Sequence, residues 1–213
     1  HGIPATLVAA MPGLKWIQAL TTGVDHLLEM NLPPSITIAS ARGVHGPQMS
    51  ELAMLFMLSL SRDFPRMLRN QSRATWERWP QRLLLGKCVG IVGVGAISTE
   101  LAACCKLFGM RVLGVSNALR GAPGFDELRP RSALRSVAAE ADFLIALTPY
   151  STETHHLINA DVIAAIKPGG YLINIARGKV VDEQALIAAL ESGALAGAGL
   201  DVFAEEPCPP DNP

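Results

Sequence analysis

From residue 87 onward the chain alternates short apolar runs with helix-like segments, and that alternation limits the fold more than any other feature. KCVGIVG (87–93), MRVLGV (110–115), DFLIAL (142–147), GYLINIA (170–176) and AGLDVF (198–203) read as strands. AISTELAACCKLFG (96–109), SALRSVAAEA (132–141), NADVIAAI (159–166) and DEQALIAALESG (182–193) read as the helices between them. The strands lack polar alternation, so both of their faces are expected to be buried, as in a parallel sheet. Parallel neighbours need a crossover, and a helix after each strand supplies one. The expected fold class is α/β, with an open, doubly wound, Rossmann-like parallel sheet.

The beginning of the chain has a different style. LKWIQAL (14–20) suits a buried strand, TTGVDHLL (21–28) a turn running into a helix, and ITIAS (36–40) a second strand. Residues 1–45 are therefore read as a piece of a second, smaller α/β domain, and 46–213 as the main one. GPQ (46–48) is expected to break the chain ahead of SELAMLFMLSLSR (50–62), which has the length and apolarity of a buried helix. Residues 64–82 carry Trp76, Trp79 and five arginines and close at Pro80, as an amphipathic connecting helix and loop would.

Composition removes several function classes. With 49% hydrophobic residues and 17% charged, the chain is not of disordered type. A formal net charge of -1 lacks the basic excess of a nucleic-acid binder. The longest strongly apolar stretch, Leu52 to Leu60, is far short of the roughly 20 residues of a membrane span, so no membrane partner is expected. Cys88, Cys104, Cys105 and Cys208 form no CxxC pair, and no nearby histidine completes a zinc pattern. They are read as small buried thiols in a reducing, cytoplasmic compartment. The chain opens on His1 and closes on Asp211-Asn212-Pro213, so both ends are expected to be cuts.

The first strand of the long series runs into Gly93-Val94-Gly95-Ala96-Ile97-Ser98, and a helix follows. Gly93 permits a tight turn, and Gly95 lets the backbone approach a pyrophosphate. The first N–H groups of the helix, at Ala96 and Ile97, are then available to phosphate oxygens. In this context the GxG turn points to a dinucleotide cofactor. Ser98 stands where a third glycine is usual, and its small side chain is expected only to loosen the packing. A carboxylate for the adenosine ribose is expected at the end of the second strand, but Val115-Ser116-Asn117 supplies none, and Arg120 follows. That end tolerates a 2′-phosphate and favours NADP over NAD. Arg120 is either the partner of that phosphate or a solvated loop residue.

TTGVDHL, the GxG turn, FGMRVLGV (108–115), ADFLIALTPYSTETHHLIN (141–159), KPGGYLINIARGKVVDEQALIAAL (167–190) and AGAGLDVFAEEP (196–207) resemble successive blocks of the D-2-hydroxyacid dehydrogenase family. RGVHGPQMSELA (42–53) is most similar to its glyoxylate/hydroxypyruvate reductase-like members. The resemblance implies hydride transfer between NAD(P)H and a small 2-oxo or D-2-hydroxy acid. It also implies a flavodoxin-like substrate domain, of which 1–45 is a part, and a homodimer using hydrophobic helices such as 50–62.

The resemblance also implies residue roles. Arg177, in INIARG, corresponds to the arginine that binds the substrate carboxylate and polarises the keto oxygen. Its place just after a parallel strand, and its planar guanidinium, suit that task. Glu206, in AEEP, corresponds to the glutamate paired with a proton-donating histidine, whose charged form a carboxylate favours. Asp201 corresponds to a residue near the nicotinamide carboxamide, with a strand-end cap as its alternative. Thr148-Pro149 and Ile175-Ala176 correspond to backbone lining the cofactor. Thr22, Gly23 and Val24 correspond to the substrate-domain loop, Thr22 also toward the cofactor, with a plain turn into a helix as the alternative. The family histidine follows the glutamate in a Pro-His segment. His26, His45, His155 and His156 do not match it, and it is expected beyond residue 213. Two other readings stay open: a nucleotide-sensing interaction protein like the C-terminal-binding-protein corepressors, and an inactive fragment.

Overall fold

The computed structural model describes residues 3–117 and 121–213, without the side chain of Ala5. The Arg120 reading lies outside the described residues. The chain divides into two compact units, His1–His45 and Gly46–Pro213.

The first unit runs α1 (Ala5–Ala9), β1 (Trp16–Gln18), α2 (Asp25–Leu28) and β2 (Thr37–Ala39). β1 and β2 pair in parallel, Ile17 opposite Ile38. The core of this unit is Ile17, Ala19 and Leu27 with Val24, Ile36 and Ile38 around them. The strand expected over 14–20 shrinks to three residues, and Trp16 and Leu20 are exposed. A two-stranded sheet buries one face, so the run is apolar on both sides but inward on only one.

The second unit opens with α3 (Gly46–Arg62) and α4 (Phe64–Ser72). α3 begins at Gly46, where a break was expected. Pro47 belongs to its first turn, where the missing N–H would have no helical partner and the fixed φ suits a helix. α3 is not buried all round: Ala53, Met54 and Met57 face inward, while Leu55 is 60% exposed. After α4 the arm folds back. Arg66 pairs with Glu77 and lies 4.4 Å from the centre of the Trp79 ring.

The remainder is a strand–helix series: β3 (Cys88–Val92), α5 (Ala96–Leu107), β4 (Arg111–Val115), β5 (Glu127–Arg129), α6 (Leu134–Glu140), β6 (Phe143–Ala146), α7 (Ala160–Ala165), β7 (Tyr171–Asn174), α8 (Glu183–Glu191) and β8 (Gly197–Leu200). All strand pairs are parallel, in the order β5-β4-β3-β6-β7-β8. This is a Rossmann-like doubly wound sheet. The chain steps outward from β3 in one direction, then crosses back to β6 and steps in the other. β3, β6 and β7 are buried at every residue, which explains why their sequences read as continuous apolar runs. Two apolar layers cover the sheet, one around Leu113, Val137, Leu144 and Leu172 and one around Met57, Leu101, Ile145 and Ile173.

β5 is a strand that sequence reading omits. It has three residues, two of them charged, and lies at the sheet edge. Arg129 bonds Glu127 and Glu140, and Arg111 bonds the same two carboxylates, so ion pairs take the place of burial there. All four cysteines are free. Burial pushes the Cys105 thiol up to about 12. Cys208, expected buried, is exposed, because the Pro-rich segment around it packs no core.

Candidate functional site

In an open parallel sheet the ligand crevice lies beyond the carboxyl ends of the strands, where the winding direction reverses. Here that point falls between β3 and β6. Gly93 leaves β3 with φ +107°, and a Cβ there would lie 2.7 Å from the Thr148 nitrogen at the end of β6. The two segments are therefore in backbone contact, and only glycine fits. The Gly93 N–H donates to the Val115 carbonyl and the Leu147 N–H to that of Val92, which holds the crevice floor together.

Ser98 does more than fill the third position of the fingerprint. It is buried, its hydroxyl accepts the Gly95 N–H at 2.7 Å and donates back to the Gly95 carbonyl at 3.0 Å. The expectation of merely loosened packing is corrected: the hydroxyl fixes the glycine turn. With the Gly95 N–H so engaged, the N–H groups of Ala96 and Ile97 are the ones at the start of α5 for a phosphate. The helix is twelve residues long, so its dipole adds to them. The missing side chains at Gly93 and Gly95, with these helix-start N–H groups, fit a dinucleotide pyrophosphate.

β4 ends at Val115, and Ser116 and Asn117 follow it, with no carboxylate. The Ser116 N–H bonds the Arg129 carbonyl, and Asn117 Oδ1 accepts the Arg131 N–H at 3.3 Å. The Arg131 backbone is thereby brought to this corner, while its guanidinium pairs with Glu153 at 3.4 Å. Sequence reading missed it, because only the unrecognised β5 brings the chain back here.

On the other side of the crevice, Ile175 and Ala176 leave β7 buried, and Arg177 follows half-buried. The fully buried Asn174 shapes this turn: its Oδ1 accepts the Ala176 N–H, and its Nδ2 donates to the Arg177 carbonyl at 3.0 Å. Arg177 Nη1 donates to the Ala176 carbonyl at 2.7 Å. Asp201, exposed at the end of β8, is tied by its N–H to the Asn174 carbonyl. Glu206 lies on the segment beyond, exposed, with Oε1 accepting the Phe203 N–H at 3.0 Å. Thus Gly93, Gly95, Ala96, Ile97, Ser116, Asn117, Thr148, Pro149, Ile175, Ala176, Arg177 and Asp201 all fall at the carboxyl edge of one sheet.

Thr22, Gly23 and Val24 belong to the first unit, between β1 and α2. The Thr21 hydroxyl donates to the Gly23 carbonyl at 2.7 Å, which fixes the turn. The nearby His45 Nε2 lies 3.0 Å from the Leu20 carbonyl. His155 and His156 are exposed and stacked on a turn. Among the described residues no group of three or more His, Cys, Asp or Glu is placed to hold a metal ion. No described helix is long and apolar enough to cross a membrane.

Residues 54–213 match the family described as D-isomer specific 2-hydroxyacid dehydrogenase, NAD binding domain. The chain is 33% identical to a glyoxylate reductase of Thermococcus onnurineus, over 96% of its own length and 64% of the relative's. It superposes with a TM-score of 0.92 on a D-isomer specific 2-hydroxyacid dehydrogenase family protein from Aeromonas salmonicida, at 38% identity, covering 98% of this chain and 67% of that one. A D-isomer specific 2-hydroxyacid dehydrogenase from Xanthobacter autotrophicus, solved with NADPH and MES, gives 0.89 at 32% identity, covering 100% and 68%. The chain belongs to the D-isomer specific 2-hydroxyacid dehydrogenase family, and residues 54–213 are of its NAD-binding type.

Proposed function

We propose that the protein reduces a small 2-oxo acid of the glyoxylate or hydroxypyruvate kind to the D-2-hydroxy acid. The carrying observation is the convergence of the glycine turn and Arg177 on one sheet edge, in a chain of this family. NAD(P)H, when bound, supplies the hydride. The N–H groups of Ala96 and Ile97 hold its pyrophosphate, and Thr148, Pro149, Ile175 and Ala176 line it. Arg177 holds the substrate carboxylate and draws electron density from the keto oxygen. Residues 1–45 are part of the substrate domain, and the N–H groups of Thr22, Gly23 and Val24 form its substrate-binding turn. Asp201 faces the nicotinamide amide. Glu206 has one oxygen taken by Phe203, and the other is left for the imidazole that donates the proton. The exposed His155 and His156 and the carbonyl-bonded His45 are not given that role.

NADP is the preferred cofactor in this reading, because Ser116 and Asn117 put no negative charge against a 2′-phosphate. The exposed Leu55, Phe64, Leu68 and Trp76 support a homodimer through α3 and the arm after it. Sedimentation velocity checks this. Four free thiols support a cytoplasmic protein.

The direct test is reduction of glyoxylate and of hydroxypyruvate by the full-length protein with NADPH and with NADH. Turnover is expected, with kcat/KM for NADPH at least equal to that for NADH. No turnover of either acid overturns the activity. A strong NADH preference overturns the reading of the β4 end alone.

A further inference from the structure

The segment that carries Glu206 is held by no helix or strand of its own, since residues 201–213 form only turns and bends. Its position is set from outside. Glu183, the first residue of α8, accepts the Ala204 N–H on Oε2 at 2.9 Å and the Asn212 Nδ2–H on Oε1 at 3.1 Å. One carboxylate thus bridges the segment on both sides of Glu206. Its own base is rigid. The Asp182 side chain caps α8 by accepting the Ala185 N–H at 3.1 Å, and Leu186 is buried in the core. A second contact reaches from the Arg177 side: a Cβ on Gly178 would overlap the Phe203 carbonyl, so this peptide lies flat against the residue after Arg177. The same Phe203 gives its N–H to Glu206.

We propose that Glu183 is a positioning residue of the reaction, fixing the 203–212 segment so that the Glu206 carboxylate keeps a constant offset from Arg177. This rests on the roles given above to Arg177 and Glu206. A carboxylate suits the task because both oxygens accept and both partners donate. Glutamine would turn an NH2 toward one donor and lose that bond, and alanine loses both. Arg177 is held separately by Asn174, and the cofactor turn by Ser98. Losing Glu183 therefore loosens the 203–212 segment, and Glu206 with it, while the Asn174 and Ser98 bonds remain.

The experiment compares the full-length protein with Glu183→Ala, Glu183→Gln and Asn212→Ala. In Glu183→Ala, kcat falls by about 10- to 100-fold, the size of effect a misplacement of about 1 Å produces. KM for the oxo acid and Kd for the reduced cofactor stay within about twofold. Glu183→Gln and Asn212→Ala fall between it and wild type. Amide exchange at Ala204 speeds up in Glu183→Ala. An unchanged kcat, or a joint loss in kcat, KM and cofactor affinity that tracks a falling Tm, overturns the positioning role. If Glu183→Ala does not fold, Asn212→Ala carries the same kcat-only expectation. If wild type turns over no oxo acid, the site reading fails and the role with it. The Ala204 exchange rate still decides whether the clamp exists, and an unchanged rate removes it.

Discussion

The two sides of the crevice solve the same problem with opposite means. At residues 93–98 the useful groups are backbone N–H groups, and the turn works by omitting side chains: Gly93 touches Thr148, Gly95 is bare, and Ser98 pins the peptide. At 174–178 and 203–206 the groups proposed to act are side chains, Arg177 and Glu206, on backbone that Asn174 bonds at Arg177 and Glu183 at Ala204. Both sides keep a glycine that no larger residue can replace without moving backbone, Gly93 in one and Gly178 in the other. A site made of backbone depends on local conformation. A site made of side chains depends on residues distant in the chain.

That contrast predicts separable failures. The largest is Arg177→Ala. Removing the guanidinium takes away substrate hold and transition-state charge together, so both kcat and KM suffer. A loss in kcat/KM of about 10²- to 10³-fold is expected, the size of effect that removing one such electrostatic group has. Cofactor affinity by fluorescence titration stays near wild type, because the glycine turn is untouched. A near-normal kcat/KM removes Arg177 from the reaction. Weakened cofactor binding of equal size shows that the two sides are not independent.

Gly93→Ala breaks the other side. The new Cβ meets the Thr148 backbone nitrogen at 2.7 Å with φ at +107°, so β3 and β6 must separate at their ends. Strain at such a position costs about 1–3 kcal/mol. A domain of this size then loses roughly 2–4 °C of Tm for each kcal/mol. Cofactor affinity falls with it, while the Asn174–Arg177 turn stays intact. Equal Tm and equal affinity would mean that the turn relaxes freely and that the glycine is not required there.

The same contrast explains what could be read from the sequence. β3, β4, β6 and β7 were legible because burial on both faces forces continuous apolar runs, and β8, half-buried apart from Gly199, because its run is apolar as well. β5 was not, since Glu127-Leu128-Arg129 is an edge strand held by ion pairs to Arg111 and Glu140, and such partners leave no period in the chain. Missing β5 hid Arg131 as well. The start of α3 was misplaced because Gly46-Pro47 reads as a breaker, whereas proline at a first turn begins a helix. Gly93 and Gly95 show themselves by spacing, and Arg177 and Glu206 by family motif. Asn174, Glu183 and the Ser98 hydroxyl do not, because an amide, a carboxylate and a hydroxyl become positioning groups only once the fold brings their donors to them.

The smallest expected effect serves as the control for this division. Asp142 lies at the opposite end of β6 from Thr148, where it accepts the Cys88 N–H at 2.8 Å and pairs with Lys167 at 3.0 Å and Lys87 at 3.5 Å. Burial acts to raise its carboxyl, but the Cys88 N–H and the two ammonium groups outweigh it and hold the group below the ordinary aspartate range. A depressed folded-state value means the folded protein binds this proton less readily than the unfolded chain. The stabilisation is therefore fully present above the unfolded value of about 3.9 and is lost as pH falls through the lower folded one. Asp142→Asn is expected to lower Tm by a few degrees at neutral pH. The gap from wild type closes as both are melted at progressively more acidic pH, below the carboxylate range. Cofactor affinity and kcat at neutral pH stay unchanged, because β6 transmits nothing from its amino end except through a sheet that remains paired. A Tm gap that persists undiminished in acid would mean that the carboxylate charge is not what Asp142 contributes. A fall in cofactor affinity would mean that the two ends of the strand are coupled.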